Sequence, residues 1–407
     1  MKGLQRGLAG VALLAIVLGA CSGAAGPAGV GASAGAGAGA AAGLKFPDTP
    51  VTLSILDIAG QDQLVKGIFD KYKKAYPNRL RDYKIEKATS PEMPAKIKAQ
   101  QDAKNVQTAL VLTGLDGMAA GVEQGIWEQL LPKYASTFPD LENNYLDGAK
   151  PIQGLTKGFG IMVVYTPSGP LIEYNAAKVP NPPKTAAELL AWAKANPNKL
   201  EYARPANSGP GRTLLQGLPY VLGDKDPKDP EKGWDKTWQF LKDLDPYIEF
   251  YPTGTSPTMK SLADGTRWII ASTMGWDINP RALGQVPKDV KVAKLDNTSF
   301  VADEQFMTVP RGLDEGQLAV VLDLIAFALK PENQAFTYDA GYFYPGPAVK
   351  GSSIDMAPAE SQQVIKEFGR PEYDQWAKDT KIVLPLDTKQ LVTAFDLWDK
   401  AFGAKKK

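Results

Sequence analysis

The sequence predicts an α/β protein made of two strand–helix series, and three observations carry that prediction. Strand-like and helix-like stretches alternate from Val51 onward. A second alternation of the same kind begins after "GLTKG" (154–158). No clean linker separates the two series, so the lobes are expected to be joined by crossing strands rather than strung like beads.

The first series opens with "VTLSILDI" (51–58), whose β-branched content and near-alternation read as a strand. Leu64, Ile68, Tyr72 and Ala75 then mark one face of a helix that Pro77 stops. "DYKIEKA" (82–88) reads as a strand, and Ala95 to Ala103 as a helix following Pro94. "TALVLT" (108–113) is a continuous apolar run suited to a strand covered on both faces. Met118, Val122, Ile126 and Leu130 recur at helical spacing. Such alternation argues for a mostly parallel sheet.

In the second series, "FGIMVVYT" (159–166) and "LIEYN" (171–175) read as strands. "KTAAELLAWAKANP" (184–197) is a helix with Leu189, Leu190 and Trp192 inward. "LEYARP" (200–205) is strand-like, and "GRTLLQGLPYVLG" (211–223) is a helix that Pro219 is expected to shorten or kink. Trp234, Trp238 and Leu241 lie along another helix, and "TRWIIAST" (266–273) is a buried strand. After residue 300, "DEQFMTVP" gives one more strand and "GQLAVVLDLIAFALKP" a strongly apolar helix. The remainder is helical and Pro-rich, ending with Leu391, Phe395 and Trp398 on a last helix. The tryptophans at helical spacing read as core, and the charge run "DKDPKDPEKG" (224–233) as a solvated loop.

Ahead of this body lies a different kind of sequence. Lys2 and Arg6 form a positive start and "LAGVALLAIVL" (8–18) an apolar core of secretory-signal length. That core is short of the ~20 apolar residues a membrane-spanning helix needs. Leu18-Gly19-Ala20-Cys21 follows, and it resembles the bacterial lipobox, in which the signal is cut before a cysteine that carries lipid. The plainer reading is an ordinary secretory signal with a chance cysteine. Residues 22–43 are a Gly/Ala tract without side chains large enough to form a core, a tether spanning about 25 Å as a coil. Residues 1–45 are therefore set apart from the fold: 1–20 as signal peptide, 21–45 as lipidated Cys21 and tether. The body is expected on the outer face of the cell membrane, periplasmic where a second membrane exists.

Composition narrows the chemistry. The 46 Lys+Arg against 45 Asp+Glu leave no electrostatic footprint for nucleic acid. The absence of histidine removes the usual general base, the Ser-His-Asp arrangement and the commonest metal ligand. A single cysteine rules out an intramolecular disulfide framework and any CxxC metal site. No metal and no cofactor is called for. Hydrolysis by carboxylates, Lys or Tyr stays open, so an enzyme is disfavoured without being excluded.

Ligands of open α/β sheets sit beyond the C-terminal ends of the strands, and that rule nominates loops. "DIAGQ" after the first strand offers Asp57 and Gln61; "TGLDG" offers Thr113 and Asp116, where Asp116 reads equally as a helix cap. "RPANSGPGR" (204–212) places Ser208 at a helix start between Arg204 and Arg212, an arrangement suited to phosphate or carboxylate, or else a structural Gly turn with solvated arginines. No GK[ST] follows, so it is not a P-loop. "STMGWDINP" (272–280) sets Trp276 and Asp277 after a buried strand, for stacking and amine pairing, or simply as core. "GYFYPGP" (341–347) offers Tyr342 and Tyr344 in a rigid loop.

Four stretches carry a resemblance to a known family: "IEYNAAKVPNPPKTAAELLAWAKANPNK" (172–199), "YARPANSGPGRTLLQGLPYVLGDKDP" (202–227), "ASTMGWDINPRALG" (271–284) and "YDAGYFYPGPAVKG" (338–351). In order and spacing the chain resembles the family 1 extracellular solute-binding proteins of ABC importers, close to a YnjB-type branch, over roughly residues 46–400. The resemblance implies two α/β lobes around a hinge with an interlobe cleft, the type II periplasmic-binding-protein fold. Lobe one would take 46–157 and 300–345, lobe two 158–299, with 346–407 as C-terminal helices packed on lobe two. It further implies a monomer that captures a small solute by lobe closure and delivers it to an ABC permease and its ATPase, with the lipid anchor as its only membrane contact. In relatives that bind ferric iron, two adjacent tyrosines are ligands; here Phe343 separates Tyr342 from Tyr344, and iron is not expected. Two rivals are a surface-anchored carboxylate-dependent hydrolase using Asp57 with Asp277, and a solute receptor or adhesin that keeps the fold without transport.

Overall fold

The computed structural model describes residues 43–89 and 92–406. The expected signal peptide, Cys21 and most of the expected tether lie outside the described residues. No described helix is long and apolar enough to cross a membrane.

Among the described residues, eleven strands are distributed over two sheets: β1 (Val51–Asp57), β2 (Leu80–Lys87), β3 (Thr108–Thr113), β4 (Gly160–Gly169), β5 (Leu171–Tyr174), β6 (Leu200–Glu201), β7 (Ile269–Ser272), β8 (Lys291–Ala293), β9 (Phe300–Thr308), β10 (Gly346–Pro347) and β11 (Ile382–Val383). The larger sheet has the order β10-β4-β9-β3-β1-β2, with β11 added on β9; the smaller has the order β6-β7-β5-β8. Each carries helices and its own apolar core. Leu53, Ile55, Val111, Phe306 and Leu322 belong to one core, and Ile172, Leu215, Trp234, Ile269 and Trp398 to the other. These are two α/β lobes with a cleft between them.

The expectation of a mostly parallel sheet needs correction. β1 pairs in parallel with β2 and β3, but β9 runs antiparallel to both β3 and β4. The cause is the chain path: β4 carries the chain out of the larger sheet and β9 brings it back, so the two must point in opposite directions. β4 belongs wholly to the larger sheet, and the chain changes sheet between Gly169 and Leu171, later than residue 158. The long β4–β9 pairing is thus the crossing between the lobes. The C-terminal segment is also shared out. β10 pairs with β4 and β11 with β9, while the helix Thr388–Ala401 buries Leu391, Ala394 and Trp398 in the smaller lobe's core.

Side-chain caps set some of the helix starts. The helix Ala186–Ala195 begins where the Thr185 side chain accepts the Glu188 N–H, and Thr388–Ala401 where Asp387 accepts that of Gln390; such caps stabilise a helix by about 1 kcal/mol. Two sequence expectations fail for identifiable reasons. The helix Leu115–Glu123 stops before Ile126 and Leu130, because Gly125 turns the chain at φ 64° and Trp127 folds back to donate to the Met118 carbonyl. Conversely, Gly209–Leu222 runs through Pro219, whose buried position outweighs its poor helix propensity, and ends at Gly223 in the left-handed region.

Candidate interlobe binding site

Loops at the C-terminal ends of β1, β2 and β3 face loops of the smaller lobe across a cleft of about 660 Å³. The larger lobe supplies Ala59, Thr89 and Asp116; the smaller lobe supplies Asn207, Ser208, Arg212 and Trp276; Asp303 and Gln305 come from β9 between them. The C-terminal helix adds Leu391, Val392 and Phe395.

Five of the residues nominated from sequence line this cleft: Asp116, Ser208, Arg212, Trp276 and Tyr342. Trp276 and Tyr342 meet at 4.8 Å between ring centroids, tilted by 54°. Tyr342 is pushed up to about 12 by burial, against a hydrogen bond from Gln63 and with nearby carboxylates adding to the rise. The turn that presents Trp276 depends on Gly275, at φ 92°, because a Cβ there would overlap the backbone N–H of Tyr344.

Arg212 is the cationic centre of the cleft. Its Nη2 reaches Asp303 Oδ1 at 2.5 Å. Burial works against its charge, but Asp303, Asp116 and Glu304 hold the guanidinium pKa above its usual value. The anion cradle expected at residues 204–212 is changed by these contacts. The Ser208 side chain already accepts the Gly211 N–H and shares a hydrogen bond with Thr255, and Pro210 has no N–H to offer. Asp303 Oδ2 borders Gly209, so the protein's own carboxylate stands where a ligand anion would approach the helix start.

The other six nominated residues lie elsewhere. The Asp57 carboxylate accepts the backbone N–H groups of Ala59, Gln61 and Asp62, shaping the cleft loop from beneath. Burial and the neighbouring Asp62 raise its pKa to about 6. Gln61 is fully buried, and Thr113 donates to the Gly114 carbonyl inside the core. Arg204 turns to the C-terminus, bonding Asp399 at 2.9 Å and the Gly403 carbonyl at 2.6 Å. The Tyr344 hydroxyl donates to Asp374. Asp277, at 0% exposure, is enclosed by Arg281, Arg370 and the Tyr373 hydroxyl. In the hydrolase reading Asp57 and Asp277 would act together; here each carboxylate is engaged by partners of its own, and neither lines the cleft.

Sequence reasoning missed Asp303 and Gln305, the Thr253–Thr255 loop and the cleft face of the C-terminal helix. The readable signal was "DEQ" (303–305), three polar residues in a row within an otherwise apolar strand. Between Asp303 and Gln305, Glu304 has its pKa raised well above the usual carboxylate range, first by burial and then by Asp303; its Oε1 accepts the Leu115 N–H at 3.3 Å. Among the described residues no group of three or more His, Cys, Asp or Glu is placed to hold a metal ion.

Two lobes, a strand crossing and a polar-and-aromatic cleft between them define a two-lobed binding protein. The chain belongs to the bacterial extracellular solute-binding protein family, whose model matches residues 67–364. Solved structures agree on the fold. The spermidine/putrescine ABC transporter substrate-binding protein PotD of Streptococcus pneumoniae is similar at 17% identity, over 86% of this chain and 98% of that one, with a TM-score of 0.58. The apo ferric ion-binding protein A of Pasteurella haemolytica is similar at 12% identity over 86% and 97%, with a TM-score of 0.61. AfuA of Actinobacillus pleuropneumoniae, solved with fructose-6-phosphate, is similar at 15% over 86% and 98%, with a TM-score of 0.58. No curated protein matches the chain.

Proposed function

We propose that this chain is the solute receptor of an ABC importer, held outside the membrane by lipid on Cys21. Its lobes close on a small organic solute in the interlobe cleft and present it to a permease driven by an ATPase. The observation that carries this reading is the cleft itself. Both lobes and the β4–β9 crossing contribute to one cavity of about 660 Å³, within the size range of small-molecule sites. Closure about the crossing strands would bring Trp276 and Arg212 toward Asp116 and engage a solute from both sides. The nominated residues that line the cleft (Asp116, Ser208, Arg212, Trp276 and Tyr342) are the proposed contacts, with Asp303 and Gln305 added. Similar folds in PotD, of a spermidine/putrescine transporter, and in AfuA, solved with fructose-6-phosphate, support an organic solute without choosing one.

The test is small-angle scattering with a thermal-shift screen of a broad metabolite panel. A bound solute should compact the protein and raise its melting temperature; neither effect with any solute would overturn the receptor reading. A Cys21→Ser chain should be released or left unprocessed, whereas one still anchored and correctly cut would remove the lipid anchor from it.

A further inference from the structure

Two enclosed polar atoms on residues lining the cleft have no hydrogen-bond partner among the described residues, and they are of opposite kinds. Gln305 is 7% exposed, and its Oε1 accepts no hydrogen bond. The Trp276 indole N–H donates to nothing. An indole nitrogen can only donate, so it asks a solute for an acceptor, whereas Gln305 Oε1 asks for a donor. Buried polar groups are nearly always paired, because an unpaired one carries the full cost of its lost hydration.

The neighbouring atoms add a second acceptor beside the indole. A Cβ on Gly209 would lie 3.3 Å from Asp303 Oδ2 and 4.0 Å from Trp276 Nε1, so acceptor and donor flank one point of the cavity wall. Asp303 Oδ1 is taken by the Arg212 guanidinium and the Glu304 N–H, which leaves Oδ2 turned to that point. Gln305 stands two residues further along β9, on the same face. One donor and two acceptors in this wall are the complement of a primary carboxamide, which has one C=O and two N–H groups. A carboxylate would satisfy the indole and offer Gln305 and Asp303 only more lone pairs. An ammonium would satisfy those acceptors and leave the indole N–H facing another donor.

The remaining wall is apolar. The helix Thr388–Ala401 turns Leu391, Val392 and Phe395 to the cavity, and Val392 is 51% exposed. An apolar group laid there would remove that surface from water.

We propose that the solute carries a primary carboxamide whose C=O accepts the Trp276 N–H and whose N–H groups reach Gln305 Oε1 and Asp303 Oδ2, with an apolar body against Val392 and Phe395. The assignment rests on the cleft being the solute site.

Calorimetry on the purified full chain tests it with three probes of one aromatic body. They are 3-phenylpropanamide, which donates and accepts; its N,N-dimethyl derivative, which only accepts; and 3-phenylpropylammonium, which only donates. The primary amide should bind at least about tenfold tighter than either. Trp276→Phe keeps a ring and removes the N–H, so it should weaken the primary amide about tenfold and leave the ammonium probe unchanged. Gln305→Met, close in volume, should weaken the primary amide about tenfold and leave the dimethyl amide unchanged. If one variant loses its melting transition, the other decides. Equal or tighter binding of either single-function probe, no binding of the primary amide, or an amide affinity that a folded variant leaves unchanged overturns the assignment. Native mass spectrometry of the chain from its producing cells separates this from the receptor reading. A co-purified solute without a carboxamide that is lost in Trp276→Ala would keep the cleft as the solute site and overturn only the head group.

Discussion

Two arginine–aspartate clusters in this molecule are built from the same residue types and do different things. In the cleft, Arg212 lies against Asp303 with Asp116 nearby, on a wall that is open to a cavity. In the smaller lobe, Asp277 is closed off by Arg281, Arg370 and Tyr373, and the Phe368 and Val290 carbonyls accept one further hydrogen bond each, from Arg281 and Arg370 respectively. The second cluster ties the C-terminal helices Ala359–Phe368 and Pro371–Asp379 to the loop after β7. The comparison teaches that an Asp–Arg pair after a strand is no sign of a site by itself. Access to a cavity is what separates the two, since the closed cluster is also unequal in charge, with two guanidiniums on one carboxylate.

The largest effect should come from the clamp. Asp277→Ala leaves two buried guanidiniums without their counter-ion, and removing one partner from a buried pair costs about 3–5 kcal/mol. Urea unfolding should show that loss; an unchanged midpoint would mean the cluster does not fasten the C-terminal helices. Next comes the cleft: Trp276→Ala should weaken retention of a co-purified solute at least about tenfold, or 1.4 kcal/mol, while leaving the unfolding curve in place. Equal retention by the variant would take Trp276 out of the site.

A smaller and pH-dependent effect should appear beside the clamp. Glu173 is fully buried next to it, and burial first, then the negative charge of Asp277, raises its pKa from 4.5 to about 8, against Arg370, Arg281 and a hydrogen bond from Ser272. The Tyr373 hydroxyl faces the same pocket through Asp277. The folded chain therefore holds a proton there that the unfolded chain has released. That contribution is complete below about pH 4.5 and is lost as pH rises through 8. Melting temperature should decline across this window, and Glu173→Gln should flatten the decline; an equally steep slope in the variant would assign it to another group. The smallest effect belongs to Arg204, whose pair with Asp399 is partly exposed. Arg204→Ala should cost no more than about 1 kcal/mol and leave solute affinity unchanged. A drop in affinity would return this arginine to the site.

Much of the fold was written locally in the chain. β1, β3 and β7, the helices Asp62–Ala75 and Glu315–Ala328, and the apolar face of the last helix follow from periodicity and from Pro and Gly stops. Those signals act within a few residues, and burial enforces them. The direction of β9 could not be read, since a strand has the same side-chain pattern whichever way it runs. The cleft-lining loops were legible on different grounds: Asp116 and Trp276 follow strand ends, Ser208 and Arg212 mark a helix start, and Tyr342 lies in a rigid Pro/Gly loop.

What each loop does was decided by partners distant in sequence. Arg204 was drawn away by Asp399 and the C-terminus, Asp277 by Arg370 and Tyr373, and Arg212 was matched by Asp303 from the crossing strand. The sequence by itself determined two α/β series, a chain with a single cysteine, and chemistry without histidine. Only the tertiary structure decided which charges meet at the cleft, because the potential there is a sum over charges brought within a few ångströms, and Asp116, Arg212 and Asp303 come from segments almost two hundred residues apart.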